Sequence, residues 1–157
     1  MVITKIQLAA MNRVYMAEED RRDFFLYIDE FQNFATTSFI KILSEARKYR
    51  LSLILANQYM AQIPDEVKAA IFGNAGTMIS FILGASDADW MQKEFGGVYS
   101  QEDLVSLARY QVVMKLMIDG EISYPFPADT LSLASSSNQN RNKVVTVSRE
   151  RYARKKT

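Results

Sequence analysis

The stretch FFLYIDEFQNF, residues 24–34, decides the fold that the sequence predicts. Its first five residues, Phe24–Ile28, are almost continuously apolar, which is typical of a strand covered on both faces in a parallel sheet. Two adjacent carboxylates, Asp29 and Glu30, follow this strand directly. Such an ending is found in nucleotide-hydrolysing enzymes, and also in ordinary strands that surface at a loop.

The two acids form a candidate Walker B motif. In this motif the first carboxylate, here Asp29, holds a magnesium ion through its water shell. The second, here Glu30, orients or deprotonates the water that attacks the γ-phosphate. Gln58 favours this interpretation, because an amide at the tip of the next predicted strand can sense the γ-phosphate or help to place the water. The alternative is that both acids are solvated or pair with nearby basic residues: Arg47, Lys48 and Arg50.

Gln32 and Asn33 follow the acids in the same stretch. We expect their amides to cap the loop rather than to take part in catalysis, because amide side chains commonly bond to the backbone of turns.

Strands and helices alternate around the motif. The patterns predict helices at 3–18, 38–49 and 65–72, strands at 24–28, 51–56 and 77–83, short helices at 87–95 and 101–107, and a β-hairpin from 110 to 126 that turns at Asp119-Gly120. Alternation of this kind indicates an α/β fold: a mostly parallel sheet with flanking helices, plus the C-terminal hairpin. The carboxyl ends of parallel strands meet at one edge, where ligands bind.

The composition excludes several kinds of active site. The chain has 157 residues, which suits one domain, and it contains no cysteine and no histidine. Disulfides, Cys/His zinc sites and Ser-His-Asp or Cys-His catalysis are therefore excluded. The sequence contains no run of about 18 apolar residues, so no membrane span is predicted. We expect a cytoplasmic protein.

Charge divides the chain into a body, residues 1–130, and a basic tail, residues 131–157. The tail carries seven basic residues and one acid, while the whole chain has a formal net charge of +1. Little in the tail can be buried, so we expect it to be disordered. Its positive charge predicts binding to DNA phosphates without sequence preference. The residues expected to make these contacts are Arg149, Arg151, Arg154, Lys155 and Lys156. The alternative is a disordered terminus that only aids solubility.

Two longer stretches carry a resemblance to a known family: YIDEFQNFATTSFIKILSEARKYRLSLILANQYMAQI and IFGNAGTMISFILGASDADWMQKEF. They resemble the C-terminal half of HerA/FtsK-like motor ATPases, most of all the type IV secretion coupling proteins that transfer DNA in conjugation. The resemblance extends over residues 3–127 and is strongest over 24–95. It is specific because four blocks occur in the family's order: LYIDEFQNF, EARKYRL, LILANQY and GNAGTMISF.

The resemblance implies a RecA-like fold, ATP and Mg²⁺ as cofactors, a hexameric ring, DNA as a partner, and secretion machinery at the inner face of the membrane. Carried over by position, Asp29 resembles the magnesium-directing acid, Glu30 the catalytic acid and Gln58 the sensor amide. Arg47 lies where such ATPases often carry a basic group that faces the neighbouring subunit's nucleotide.

One departure from the family is decisive. The P-loop pattern G-x-x-x-x-G-K-[ST] is absent, since none of the six glycines is followed by lysine. The phosphate cradle of the family is therefore missing, and we expect no ATPase activity from this chain alone. The resemblance also places the P-loop strand between the second and third strands. Those strands must either close on each other or await a missing half, so the chain is expected to be a fragment.

Two other interpretations remain open. The chain can be a non-catalytic coupling or assembly module that pairs with a separate P-loop subunit or binds DNA through its tail. It can also be a carboxylate-metal phosphoesterase, although no third metal-binding acid is obvious near Asp29.

Overall fold

The computed structural model of the protein describes residues 2–132 and 140–153. The helices are α1 (Val2–Met11), α2 (Thr37–Glu45), α3 (Asp65–Asn74), α4 (Ala85–Glu94), α5 (Gln101–Val105) and α6 (Arg141–Tyr152). The strands are β1 (Phe24–Ile28), β2 (Leu51–Leu55), β3 (Met78–Ser80), β4 (Gln111–Lys115), β5 (Met117–Ile118), β6 (Glu121–Ile122) and β7 (Phe126–Asp129). Short 3-10 turns lie at Asn12–Tyr15, Glu18–Asp20, Phe31–Phe34, Ala46–Tyr49 and Met60–Gln62. We call residues 2–74 the first lobe and residues 78–129 the second lobe.

The first lobe is built on a parallel pair of strands, as predicted. β1 and β2 run parallel and in register, from Phe24 opposite Leu51 to Ile28 opposite Leu55. Helix α2 makes the crossover between them. Side chains of a strand alternate between its faces, so Leu26 and Ile28 share the face that packs onto the first-lobe core.

The opposite face of the parallel pair is exposed. Phe25 and Tyr27 of β1 are 58% and 73% exposed, and their neighbours Ser52 and Ile54 on β2 are exposed as well. The prediction of a strand covered on both faces is therefore wrong for this chain. The composition of β1 is apolar on both sides, but the described helices and turns cover only the Leu26 side.

The second lobe has a sheet of its own. β3, β4 and β7 form an antiparallel sheet in that order, so the third predicted strand does not join β1 and β2 in a mostly parallel sheet. Within residues 2–132 and 140–153, β2 pairs with β1 alone, and β3 pairs with β4 alone. In this described part of the chain, the other edges of β2 and β3 have no strand partner, and the two strands do not pair with each other.

The predicted hairpin is present and longer than expected. Its turn lies at Asp119 and Gly120, whose φ angles of 51° and 88° are the positive values that a two-residue type I′ turn requires. Short strands β5 and β6 flank the turn. The arms then continue as β4 and β7, and β7 extends past the predicted end at residue 126 to include Pro127. Proline is tolerated there because β7 is the outer strand of its sheet.

Contacts between described residues of α3, α4 and the turn Met60–Gln62 join the lobes. The carboxylate of Asp87, buried at the start of α4, accepts a hydrogen bond of 3.0 Å from the backbone N–H of Met60. The rings of Phe72 on α3 and Trp90 on α4 stack with centroids 6.3 Å apart. The second lobe is thereby attached next to the loop that follows β2.

The structure places a helix in the basic tail. Arg141–Tyr152 form helix α6, while the expected disorder of the tail as a whole stays a prediction. A low apolar content predicts that a segment cannot build a core, yet it does not prevent the local backbone bonds of a helix. No residue of α6 is buried. Residues 133–139 and 154–157 of the tail lie outside the described residues. None of the helices in the described part of the chain is long and apolar enough to cross a membrane.

Candidate functional site

The candidate site lies at the joined carboxyl ends of β1 and β2. Beyond the regular pairing, the N–H of Ala56 donates to the carbonyl of Ile28 at 2.9 Å, and the N–H of Phe31 donates to the carbonyl of Ala56 at 2.8 Å. These bonds hold the two strand ends side by side. The residues that follow each strand, Asp29 and Glu30 on one and Gln58 on the other, therefore share one edge of the sheet.

Glu30 has a special backbone conformation at this edge. Its φ and ψ angles are 50° and 46°, the left-handed region that residues with a Cβ seldom adopt. Three local contacts hold it there. The Asp29 carboxylate accepts the N–H of Glu30 at 2.9 Å, and the Glu30 carbonyl accepts the N–H of Asn33 at 3.0 Å. Phe31, fully buried, anchors the turn by packing on Phe39 with ring centroids 4.8 Å apart.

The turn directs the Glu30 carboxylate toward the next strand. The Gln58 amide donates to Glu30 Oε1 at 2.6 Å. Among the described residues that the sequence predicts for the site, this is the only side-chain hydrogen bond that connects the two strand ends. The structure thus brings together the acid and the amide that the sequence selects from separate strands. Their catalytic roles stay predictions.

A second amide also binds Glu30. The Gln32 amide nitrogen donates to Glu30 Oε2. The other end of this amide, Oε1, is buried and has no hydrogen-bond partner within the described residues. Leaving a buried acceptor unpaired costs about 1–3 kcal/mol. Sequence reasoning missed this role, because a glutamine in a turn can cap the loop or bind Glu30 and its pattern is the same in both cases.

Asp29 lies beside this cluster without joining it. Its side chain is exposed and its Oδ1 accepts the Glu30 N–H. Across residues 2–132 and 140–153, no group of three acidic side chains could hold a metal ion. Mg²⁺ is usually bound by one or two carboxylates together with water and phosphate, and the magnesium role of Asp29 stays a prediction.

Arg47 lies at the other edge of the sheet. It belongs to the turn Ala46–Tyr49, which precedes the amino end of β2, whereas Gln58 follows the carboxyl end. A strand of five residues separates the two edges by roughly 13 Å. The structure does not bring Arg47 to the Glu30 cluster. The predicted role of Arg47 toward a neighbouring subunit requires that the ring present this opposite edge, and it stays a prediction.

The candidate DNA-binding residues lie on and beyond α6. Arg149 and Arg151 occupy the last turn of the helix and are exposed. Basic residues in the last turn also interact favourably with the helix dipole. Arg154, Lys155 and Lys156 lie outside the described residues, so no geometry can be given for them.

The chain matches one protein-family model and shares its fold with solved structures. A protein-family model described as the TraM recognition site of TraD and TraG matches residues 23–115. Two solved structures share the fold: the plasmid coupling protein TrwB in complex with the non-hydrolysable GTP analogue GDPNP, at 14% identity and a TM-score of 0.60, and B204, the DNA-packaging ATPase from Sulfolobus Turreted Icosahedral Virus, at 16% identity and a TM-score of 0.57.

These similarities cover most of this chain and part of the other proteins. The likeness to TrwB spans 82% of this chain and 36% of TrwB, and that to B204 spans 83% and 62%. No curated protein matches the sequence. This chain therefore corresponds to about a third of the TrwB chain and to less than two thirds of B204.

Proposed function

We propose that this chain, which belongs to the family described as the TraM recognition site of TraD and TraG, carries the Walker B half of a RecA-like motor ATPase that translocates DNA in conjugative transfer. The observation that carries the proposal is the 2.6 Å bond from Gln58 to Glu30 across the joined ends of two parallel strands. An acid and an amide in this arrangement suit the activation of water beside a phosphate.

Each polar residue at the strand ends has a proposed role. Glu30 orients the attacking water and accepts its proton, as a general base within hydrogen-bond reach can do. Gln58 contacts the γ-phosphate or helps to hold that water. Asp29 holds Mg²⁺ through water, and the ion, when bound with ATP, neutralises charge on the β- and γ-phosphates. TrwB was solved with a GTP analogue, which supports nucleotide as the ligand of this edge.

The phosphate cradle must come from outside this sequence. The chain contains no P-loop pattern. A P-loop strand and its neighbours are the proposed partners of this incomplete sheet. The unpaired edges of β2 and β3 and the exposed apolar face of β1 support this proposal. An uncovered apolar edge of this kind is prone to aggregation until it is paired. We infer that the chain alone does not hydrolyse ATP and that it becomes active when a P-loop segment completes the sheet.

Proposed partners follow from the family and its neighbours. The family description names TraM for TraD and TraG, so a TraM-like protein is a candidate partner of residues 23–115. DNA is a second candidate partner. The basic residues of α6 and of the segment that follows it are the proposed contacts with DNA phosphates. Sister subunits in a hexameric ring, with Arg47 facing a neighbour, and secretion machinery at the membrane complete the proposal.

The decisive experiment compares the chain with its completed form. Mg²⁺-dependent ATP hydrolysis is measured for the purified chain alone and for the chain joined to a P-loop polypeptide of the same transfer system. We expect no hydrolysis above background in the first case and clear turnover in the second. Glu30→Gln in the joined protein should lower kcat by roughly 10²–10⁴-fold, because it removes a general base and keeps the size of the side chain.

The outcomes separate the two leading functions. Hydrolysis by the chain alone that Glu30→Gln abolishes would contradict the need for a P-loop partner. Stable binding to the P-loop polypeptide, with turnover that Glu30→Gln leaves unchanged, would favour the non-catalytic module. The exposed face of β1 favours this second function, because it can bind a P-loop polypeptide whether or not Glu30 is catalytic.

A further inference from the structure

Gln32 holds the candidate catalytic acid in a way that the sequence did not suggest. It lies two residues after Glu30, in the turn Phe31–Phe34, and its amide donates to Glu30 Oε2. Gln58 donates to the other oxygen, Oε1. Two amides from two different segments therefore bind the two oxygens of one carboxylate.

The two amides differ in their surroundings. Gln58 is exposed, whereas Gln32 is half-buried. Gln58 lies in the exposed segment after β2, while Gln32 shares a short turn with Glu30 and with the fully buried Phe31. Gln32 is thus the more firmly held of the two donors.

The Gln32 amide is oriented so that its nitrogen binds Glu30 while its own oxygen has no hydrogen-bond partner among the described residues. With its nitrogen on Glu30, its Oε1 is left buried without a partner among the residues described. The flipped amide would instead place Oε1 against the Glu30 carboxylate, where two acceptors repel. The carboxylate therefore decides how this amide lies.

We propose that Gln32 is a positioning residue that fixes the Glu30 carboxylate in one orientation for the attacking water. Neutral amide donors suit this task, because they bind the carboxylate oxygens without adding an opposite charge. A carboxylate oxygen offers two acceptor sites, so each oxygen keeps one for water. This inference rests on the proposed function of Glu30, but the geometry of the three side chains can be tested without it.

The variant Gln32→Met tests the proposal directly. Methionine keeps the length and flexibility of the side chain, removes the donor to Glu30, and also removes the unpaired buried Oε1. A purely structural glutamine would lower the melting temperature when replaced. A positioning glutamine with an unpaired buried acceptor should leave the melting temperature unchanged or raise it. Gln58→Met is the matched variant at the exposed amide.

The first measurement uses the chain alone and needs no hydrolysis. Side-chain amide signals of Gln32 and Gln58 are recorded by ¹H–¹⁵N NMR before and after Glu30→Met. Both signals should shift, and the Gln32 amide hydrogens should exchange with solvent more slowly than those of Gln58. The exposed Gln62 serves as the control and should not respond. A Gln32 signal that does not shift overturns the proposal.

The second measurement uses the chain joined to a P-loop polypeptide. Gln32→Met should lower kcat about tenfold or more with KM for ATP unchanged, since a misplaced general base slows the chemical step. An unchanged kcat, or a variant that fails to fold, overturns the proposal. If the joined protein shows no hydrolysis at all, the proposed function fails, and the NMR result still decides whether Gln32 holds Glu30.

Discussion

The two lobes differ in how their sheets end. In the second lobe, β3, β4 and β7 pair with one another, and Phe95, Leu104 and Val113 are fully buried in the core on one face of that sheet. In the first lobe, only two strands pair, and an apolar face remains exposed. The candidate site lies at the end of this incomplete sheet. The chain therefore places the candidate site in the lobe with the two-stranded sheet, whereas the three-stranded sheet of the second lobe covers a fully buried core.

The largest expected effect comes from the second-lobe core. Phe95 is 1% exposed and packs edge-to-face with Tyr99, their ring centroids 6.3 Å apart. Phe95→Ala should lower the free energy of unfolding by about 3–5 kcal/mol, because it removes a buried ring and leaves a cavity. Urea unfolding followed by circular dichroism measures the change.

The matched variant in the first lobe is Tyr27→Ala. Its ring is 73% exposed, so the free energy of unfolding of the chain should change by no more than about 0.5 kcal/mol. Equal losses for both variants would show that the β1 face is covered in solution, for example by self-association. Sedimentation of the two variants at several concentrations distinguishes that case from a monomer.

A smaller effect is expected at the junction between the lobes. Asp87→Ala removes the acceptor of the Met60 N–H and leaves that donor buried. The loss should be about 1–3 kcal/mol. Because Met60 begins the turn after Gln58, the Met60 amide should also exchange with solvent faster, which hydrogen-exchange NMR measures.

Asp87→Asn is the control for this junction, since its carbonyl oxygen can still accept the bond. We expect most of the stability and the slow exchange of Met60 to be kept. Identical behaviour of the alanine and asparagine variants would contradict the assigned hydrogen bond. Fast exchange confined to the second lobe would show that the lobes are not coupled through Met60.

Local patterns predicted the elements of this fold well. The apolar runs gave β1 with the bounds that the structure has, and Asp119-Gly120 gave the turn of the hairpin. Pairing between distant strands was harder, because an apolar run such as β3 suits a parallel or an antiparallel neighbour equally. Burial was hardest, since the Phe25 and Tyr27 side of β1 is apolar in sequence yet uncovered in this chain.

The candidate site was predictable to the same extent. Asp29, Glu30 and Gln58 follow from the rule that parallel strand ends share an edge. Gln32 did not follow, because its bond to Glu30 depends on the left-handed backbone of Glu30, which redirects the turn. Asp87 did not follow either, because its partner is a backbone N–H in the other lobe. Sequence patterns carry no signal for such contacts.

The smallest expected effect concerns helix caps, in which the lobes also differ. In the second lobe, the Ser100 hydroxyl accepts the N–H of Asp103 at 3.1 Å, and the Asp103 carboxylate accepts the N–H of Ser100 at 2.8 Å. In the first lobe, Thr36 precedes α2 without a side-chain capping bond. Ser100→Ala should lower stability by about 1 kcal/mol, whereas Thr36→Ala should change it little. Thermal unfolding of both variants measures the difference.

The same cap predicts that its contribution to the stability of the fold decreases as the pH falls. The hydrogen bonds from the Ser100 side chain and backbone lower the pKa of Asp103. A carboxyl whose pKa is lower in the folded state stabilises the fold above its unfolded pKa, and the contribution is lost as the pH falls through the folded pKa. Ser100→Ala removes the hydroxyl part of this contribution, so the gap in melting temperature between wild type and variant should narrow in acid. A gap that stays constant from neutral to acid pH would mean that the hydroxyl caps α5 without acting on the Asp103 carboxylate.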